Sequence, residues 1–277
     1  MHVKKDNEIV VLCIGDLIGE PGMAVLEKHL AALKKRYQAD LMIVNGENSA
    51  KLGRGITAEI MGRLRELGVA VVTSGNHVWD NAKIVPYFSG NSDLLRPANY
   101  PAGCPGTGVT LVSVGEYTVG VVNILGRVFM KEITDCPFRT MQSILTYVRA
   151  QTPLIVVDFH AEASAEKLAM ANFLDGHVSA LVGTHVHVQT ADERIFPQGT
   201  AFISDVGMVG SWFSIIGFKK ESPLNMFLTQ MPHRFEVSYE GPFVFNAIAL
   251  TLDAITGKAT DIERVQLLDH DLVLQKT

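Results

Sequence analysis

The chain carries no Cys-x-x-Cys pair, no broad basic patch, no long apolar run and no nucleotide-binding glycine loop, and each absence removes a class of protein. Only three cysteines, Cys13, Cys104 and Cys136, are scattered over 277 residues. An odd, dispersed set builds neither a disulfide scaffold nor a Cys-based zinc finger, and it suits a reducing cytoplasm. The longest clean apolar run, Ile9 to Ile14, is far too short to span a membrane. Lys4 and Lys5 precede it without an extended apolar stretch of the secretory kind, so no signal peptide is expected. The 24 Lys and Arg against 29 Asp and Glu give a net charge of -5, which argues against an extended nucleic-acid groove. Walker A, Gly-x-Ser-x-Gly and a Gly-x-Gly-x-x-Gly after a strand are also missing. What remains is a soluble, cytoplasmic α/β protein, read as one domain over residues 1–277 with a short N-terminal extension at 1–8. A chain of this size buries roughly three quarters of its extended-chain surface and needs no covalent staples.

The first part alternates strands and helices. Ile9 to Ile14 reads as a buried strand, and Glu20-Pro21 starts a helix that runs to Tyr37. Leu41 to Val44 and Val69 to Thr73 are further strands. Between them a helix is capped by Thr57 and stopped near Leu67 by Gly68. Such a β-α-β-α-β run predicts parallel strands with right-handed crossovers. Val109 to Val114 and Tyr117 to Ile124 flank Gly115-Glu116 as an antiparallel hairpin. A helix from Phe138 to Ala150, a strand from Leu154 to Val157, a helix from Ser164 to Leu174 and a strand from Val178 to Val182 follow. Two last strands are read at Ala201 to Ser204 and Phe245 to Leu252. The mixture predicts two packed sheets with helices outside.

Polar residues gather where these strands end. Asp16, Asn45-Gly46-Glu47-Asn48, Ser74-Gly75-Asn76-His77, Asp158-Phe159-His160 and Gly183-Thr184-His185-Val186-His187 each follow a buried strand directly. Ligands of open α/β sheets bind at such strand ends, so these clusters are expected to share one crevice. Taken singly, Asp16 is an ordinary turn residue and a lone histidine is a packed or solvated one. His2, His29, His177, His233 and His270 lack this context and are read as structural or solvated. The combination offers carboxylate, amide and imidazole donors without sulfur, which suits Mn, Fe or Zn. The donors are too many for one tetrahedral ion and suit two ions sharing a carboxylate, a pair that clamps phosphoryl oxygens. A hydroxide between such ions needs no Ser or Cys nucleophile.

With these motifs the chain resembles the calcineurin-like metallophosphoesterases. Asp16-Leu17-Ile18, Asn45-Gly46-Glu47-Asn48, Gly75-Asn76-His77, His160 and Gly183-Thr184-His185-Val186-His187 stand where that family has its successive motifs. Ile18 replaces a histidine and Glu47 replaces an aspartate, departures that are those of the YmdB-type branch. The runs Asp158 to Ala163, Gly183 to Arg194 and Asp205 to Met208 also resemble it. The resemblance implies a four-layer α/β/β/α sandwich and hydrolysis of small phosphodiesters, with 2',3'-cyclic nucleotides as the substrate class. It implies that Asp16, Asn48 and His187 hold a first metal, and that Asn76, His160 and His185 hold a second. Glu47 bridges the two, and Fe or Mn is expected ahead of Zn. His77 is implied to be no ligand but a general acid facing the phosphate. An imidazole with an ordinary pKa of about 6.5 can protonate the departing ribose oxygen near neutral pH.

Other residues carry weaker readings. Arg127 is a phosphate contact or a surface residue, and Asp158, Thr184 and Asp192 are candidates to orient ligand histidines. Met208, Trp212 and Phe213 form either a wall for a base or ordinary core. The apolar pieces Phe213 to Phe218 and Met226 to Met231 leave a homo-oligomer open. The alternatives to the phosphodiesterase are a phosphomonoesterase and a regulatory or RNA-pathway protein that uses the metal centre as a ligand sensor.

Overall fold

Strict alternation along the first strand already sets the layering. In a computed structural model that describes residues 4–5 and 7–274, β1 spans Glu8–Ile14. Its Val10, Leu12 and Ile14 pack toward one apolar cluster, and Ile9, Val11 and Cys13 toward another. A strand buried on both faces reads as a continuous apolar run, which is why the alternation is invisible in the sequence. His2 lies outside the described residues.

The first half continues with β2 (Asp16–Leu17), α1 (Gly19–Tyr37), β3 (Leu41–Asn45), α2 (Ala58–Glu66) and β4 (Val71–Thr73). Thr57 caps α2 as expected, its hydroxyl accepting the Ile60 N–H at 3.3 Å. A 3-10 helix at Ala82–Phe88, with Pro86 inside it, was not expected. Then come β5 (Val109–Val114), β6 (Tyr117–Leu125), α3 (Pro137–Val148), β7 (Ile155–His160), α4 (Ser164–Leu174) and β8 (Ala180–Thr184). The remainder is β9 (Arg194–Ile195), β10 (Ala201–Ile203), β11 (Met208–Ser211), α5 (Glu221–Thr229), β12 (Phe243–Asp253) and β13 (Ala259–Asp269).

One sheet has seven strands, in the order β2-β11-β12-β1-β3-β4 with β13 paired to β12. Within it β1, β3 and β4 run parallel, as the opening β-α-β-α-β pattern requires, and β12 is antiparallel to β1. The second sheet has six strands, β5-β6-β7-β8-β10-β9. Its hairpin β5–β6 is antiparallel, but β6, β7, β8 and β10 are parallel to one another.

Apolar residues of both sheets meet in a shared central layer that includes Val11, Ile43, Val121, Val156 and Val182. The outer face of the first sheet packs on α1 and α2, and that of the second on α3 and α4. The result is the four-layer α/β/β/α arrangement of two mixed sheets. Each large side chain buried in these layers contributes about 1.5–3 kcal/mol. Because β3, β4, β7 and β8 point their C-terminal ends the same way, one edge of the central layer collects their polar terminal residues.

Candidate metal centre

Along β7, Leu154 and Val156 face the central layer, so Asp158 and His160 continue on that face. The sequence ended this strand at Val157, where the apolar run stops. In the structure it continues to His160, because Asp158 meets polar partners and not core. Thr184 follows Ala180 and Val182 on β8, and Thr73 and Asn45 end β4 and β3 in the same layer. Asp158 accepts hydrogen bonds from Thr184 Oγ1 at 2.7 Å and from the Thr73 hydroxyl. The hydroxyl proton of Thr184 is thereby committed, and its oxygen accepts from His160 Nδ1 at 2.9 Å. This fixes the tautomer of His160 with Nε2 turned toward the crevice.

Nε2 of His160 lies 3.0 Å from Glu47 Oε1, 3.0 Å from Asn76 Oδ1 and 3.0 Å from His185 Nδ1. His185 has its outer nitrogen committed as well, since Nε2 lies 3.0 Å from Glu162 Oε2. Four donor atoms, one at the end of β7 and three from loops, therefore converge on one point. Gly75 permits this approach: a Cβ there would stand 2.2 Å from the His160 ring.

The neighbouring group takes Asp16 and Asn48 from the first sheet and His187 from the loop after β8. The chain steps sideways at Gly15, leaving β1 and pairing as β2 with β11. A Cβ at Gly15 would lie 1.9 Å from the Gly207 carbonyl oxygen, so only glycine permits the step. The step carries Asp16 to full burial. Its Oδ1 has no hydrogen-bond partner among the described residues and lies 3.6 Å from His187 Nε2. His187 donates Nδ1–H to the Ile216 carbonyl at 3.0 Å, which leaves Nε2 as the acceptor nitrogen facing Asp16. The Asn48 amide is 3.3 Å from His187 Nε2 and 3.3 Å from Glu47 Oε1. Which way that amide faces is set by its neighbours, and a cation beside it would take the oxygen. Ile18 is fully buried among Met208, Phe218, Val237 and Val244, so that position offers no ligand and Asn48 occupies the polar side.

The charges fit a cation. Burial pushes the Asp16 carboxyl well above its usual range. Burial also pushes Glu47 up and His160 down, yet each outweighs this on the other, so Glu47 is held low and His160 is raised. Burial and the adjacent His160 push His185 down to about 3, and burial lowers His187. His185 and His187 are thus held as the neutral imidazoles that coordination requires, whereas Asp16 and His160 would each release a proton to an arriving cation. An orphaned buried carboxylate oxygen beside inward-turned ring nitrogens is what a bound ion would satisfy.

The loop that carries His185 and His187 is strained, with φ of 101° and 67° at the two histidines. Non-glycine residues hold such angles only where the surroundings impose them. Lys167, buried beneath, donates to the Thr184 carbonyl at 2.9 Å and to Asp205 Oδ2 at 2.9 Å. Asp205 in turn accepts the Val186 N–H at 2.9 Å. This clamp grips the loop on both sides of His185.

His77 sits outside the donor cluster. Its backbone N–H donates to Glu47 Oε2 at 2.9 Å, and its Nδ1 lies 2.9 Å from Asp80 Oδ2. The ring is only half-withdrawn from solvent and lines a cavity of about 390 Å³ with Asn76 and His185.

All eight residues singled out in the sequence thus lie together. The weaker readings divide. Asp158 and Thr184 orient His160, but Asp192 bonds to Thr190 and Ser204 and touches no ligand histidine. Met208 is core, whereas Trp212 and Phe213 are exposed. Arg127 does not line the cavity, whose cationic rim is Arg54 and Lys131. Sequence reasoning missed Asp80, Glu162, Lys167 and the Ile216 carbonyl. Asp80 and Glu162 stand three and two residues beyond singled-out histidines, a spacing that could have found them. Lys167 and Ile216 left no such signal.

A family model described as YmdB-like protein matches residues 12–265. A Bacillus subtilis protein named 2',3'-cyclic-nucleotide 2'-phosphodiesterase is 40% identical over 96% of this chain and 99% of its own. A crystal structure of a hypothetical protein from Thermus thermophilus superposes with a TM-score of 0.88 at 38% identity, covering 94% of this chain and all of the other. The structure of a novel phosphatase from Mycoplasma pneumoniae superposes at 0.89 with 34% identity over 95% of each chain. The chain belongs to the YmdB-like family.

Proposed function

We infer that the protein is a dinuclear metal-dependent phosphodiesterase that hydrolyses small phosphodiesters, 2',3'-cyclic nucleotides foremost. The observation that carries this is the convergence of Glu47 Oε1, Asn76 Oδ1 and His185 Nδ1, each 3.0 Å from His160 Nε2, with the His77 N–H on Glu47 beside them. The name of the 40% identical Bacillus subtilis relative supports the substrate class.

Asp16, Asn48 and His187 would hold one ion, Asn76, His160 and His185 the other, and Glu47 would serve both. The oxygen and nitrogen donor set suits Fe or Mn ahead of Zn. Such ions supply Lewis acidity to phosphoryl oxygens and acidify water near neutral pH. The protein's own contribution is orientation and proton supply. Asp80 holds the His77 ring through Nδ1, so Nε2 is the atom that meets substrate. From there it gives its proton to the ribose oxygen as that P–O bond breaks and a water-derived oxygen bonds to phosphorus, leaving a ribose phosphomonoester. The three free cysteines support a reducing cytoplasm as the compartment.

The test is a hydrolysis panel on metal-loaded protein: 2',3'-cyclic AMP, 3',5'-cyclic AMP, bis-nitrophenyl phosphate and a monoester, with His77→Ala as control. Preferred turnover of the 2',3'-cyclic substrate is the expected result. Turnover of the monoester alone would make the protein a phosphomonoesterase, and hydrolysis of none would turn the centre into a ligand sensor.

A further inference from the structure

One exposed aromatic ring has no structural explanation. Phe129 is 85% exposed and holds a left-handed backbone at φ 64°. That conformation is unfavourable for a bulky side chain and persists only under constraint. The constraint is visible at both ends of its loop. The buried Asn99 side chain bonds both backbone groups of Leu125, at 2.8 and 2.9 Å, and the Asp135 carbonyl at 3.1 Å. The Asn99 carbonyl accepts the Asp135 N–H at 2.9 Å, which closes the loop. Glu166, itself buried on α4, accepts the N–H groups of Arg127 at 3.0 Å and Val128 at 3.1 Å, the two residues before Phe129. A short loop pinned in this way presents Phe129 in one place.

That place is the mouth of the candidate centre. Arg54, His77, Phe129, Met130, Lys131 and His185 line the same cavity of about 390 Å³. Arg54 and Lys131 make no ion pair among the described residues. The metal-donor cluster grips only a phosphate, whereas a nucleotide brings a flat base as well. An aromatic face takes any base by stacking, and stacking of this kind is worth about tenfold or more in binding.

We propose that the cavity beside His77 is a nucleoside subsite in which Phe129 stacks on the base and so determines the preference for nucleotides over simple cyclic phosphates. The assignment rests on the cyclic-phosphodiester reading above.

The experiment compares kcat/KM for 2',3'-cyclic AMP, 2',3'-cyclic UMP and ethylene phosphate, a five-membered cyclic phosphate without base or sugar. In Phe129→Ala the ratio of cyclic AMP to ethylene phosphate falls about tenfold. The ratio of cyclic UMP falls less, since a pyrimidine offers a smaller face. Phe129→Trp keeps both ratios. Equal ratios in wild type and Phe129→Ala would overturn the subsite, because a merely structural role moves all substrates together. If the wild type hydrolyses no cyclic phosphodiester, the functional reading fails instead. Calorimetric binding of adenosine 2'-phosphate then judges the subsite, with about tenfold weaker binding in Phe129→Ala expected and unchanged binding overturning it.

Discussion

Asp80 Oδ2 lies 2.9 Å from His77 Nδ1, three residues along the same turn. The contact commits one ring nitrogen and turns the other toward the Asn76 amide nitrogen at the cavity wall, 3.4 Å away. Asp80→Ala removes that aim without touching the metal donors. It is expected to lower kcat about tenfold with little change in metal content, read by steady-state kinetics beside elemental analysis.

Glu162 does for His185 what Asp80 does for His77, since its Oε2 lies 3.0 Å from His185 Nε2. Partners that orient a ligand histidine are worth about 10–100-fold in metal affinity. Glu162→Ala is expected to weaken metal binding within that range, measured by chelator competition. Affinity equal to wild type would remove Glu162 from the account.

Lys167 and Asp205 form a pair that is 1% exposed on each side chain. Removing one partner leaves a buried charge uncompensated, which costs about 3–5 kcal/mol. Lys167→Met is therefore expected to lower the unfolding free energy by that amount in denaturant titration. Metal affinity should fall too, because the Thr184 carbonyl and the His185 loop lose their clamp. Lys167→Arg should restore part of both.

Asp269 tests the electrostatics away from the site. Burial pushes its carboxyl up, but Lys28, His29 and the backbone N–H groups of Leu272 and Asp271 outweigh burial and hold it far below the usual range. A depressed folded pKa stabilises the fold above the unfolded value of about 3.9, and the gain is lost as pH falls below it. Asp269→Asn is expected to cost about 1–3 kcal/mol at pH 7. The gap to wild type in thermal unfolding should narrow steadily below pH 4. A constant gap would show that the charge on Asp269 contributes nothing.

The elements most legible in the sequence were those buried on both faces. β1, β3 and β8 read as short β-branched runs, and the polar residues at their ends marked the site. β7 was cut short at Val157 because hydrophobicity stops there, while pairing continues: Asp158, Phe159 and His160 match Asn123, Ile124 and Leu125 on β6. β13 went unread because it is a one-sided edge strand whose Asp261, Glu263 and Arg264 keep its mean hydropathy low. α5 has only Pro223 buried, so no apolar stripe distinguishes it. The donor residues were legible because their types are chemically restrictive. The atoms that orient them were less so, because a backbone carbonyl such as that of Ile216 can belong to any residue.

Glu47 would be shared by two ions, with His77 as a separate acid. Metal stoichiometry and turnover of 2',3'-cyclic AMP, measured together on wild type, Glu47→Gln and His77→Ala, test it most directly. Expected are two equivalents of transition metal in wild type and His77→Ala, reduced occupancy in Glu47→Gln, and a loss on the order of 10²-fold in kcat for His77→Ala. Two full equivalents in Glu47→Gln, or unchanged turnover in His77→Ala at equal metal content, would contradict it.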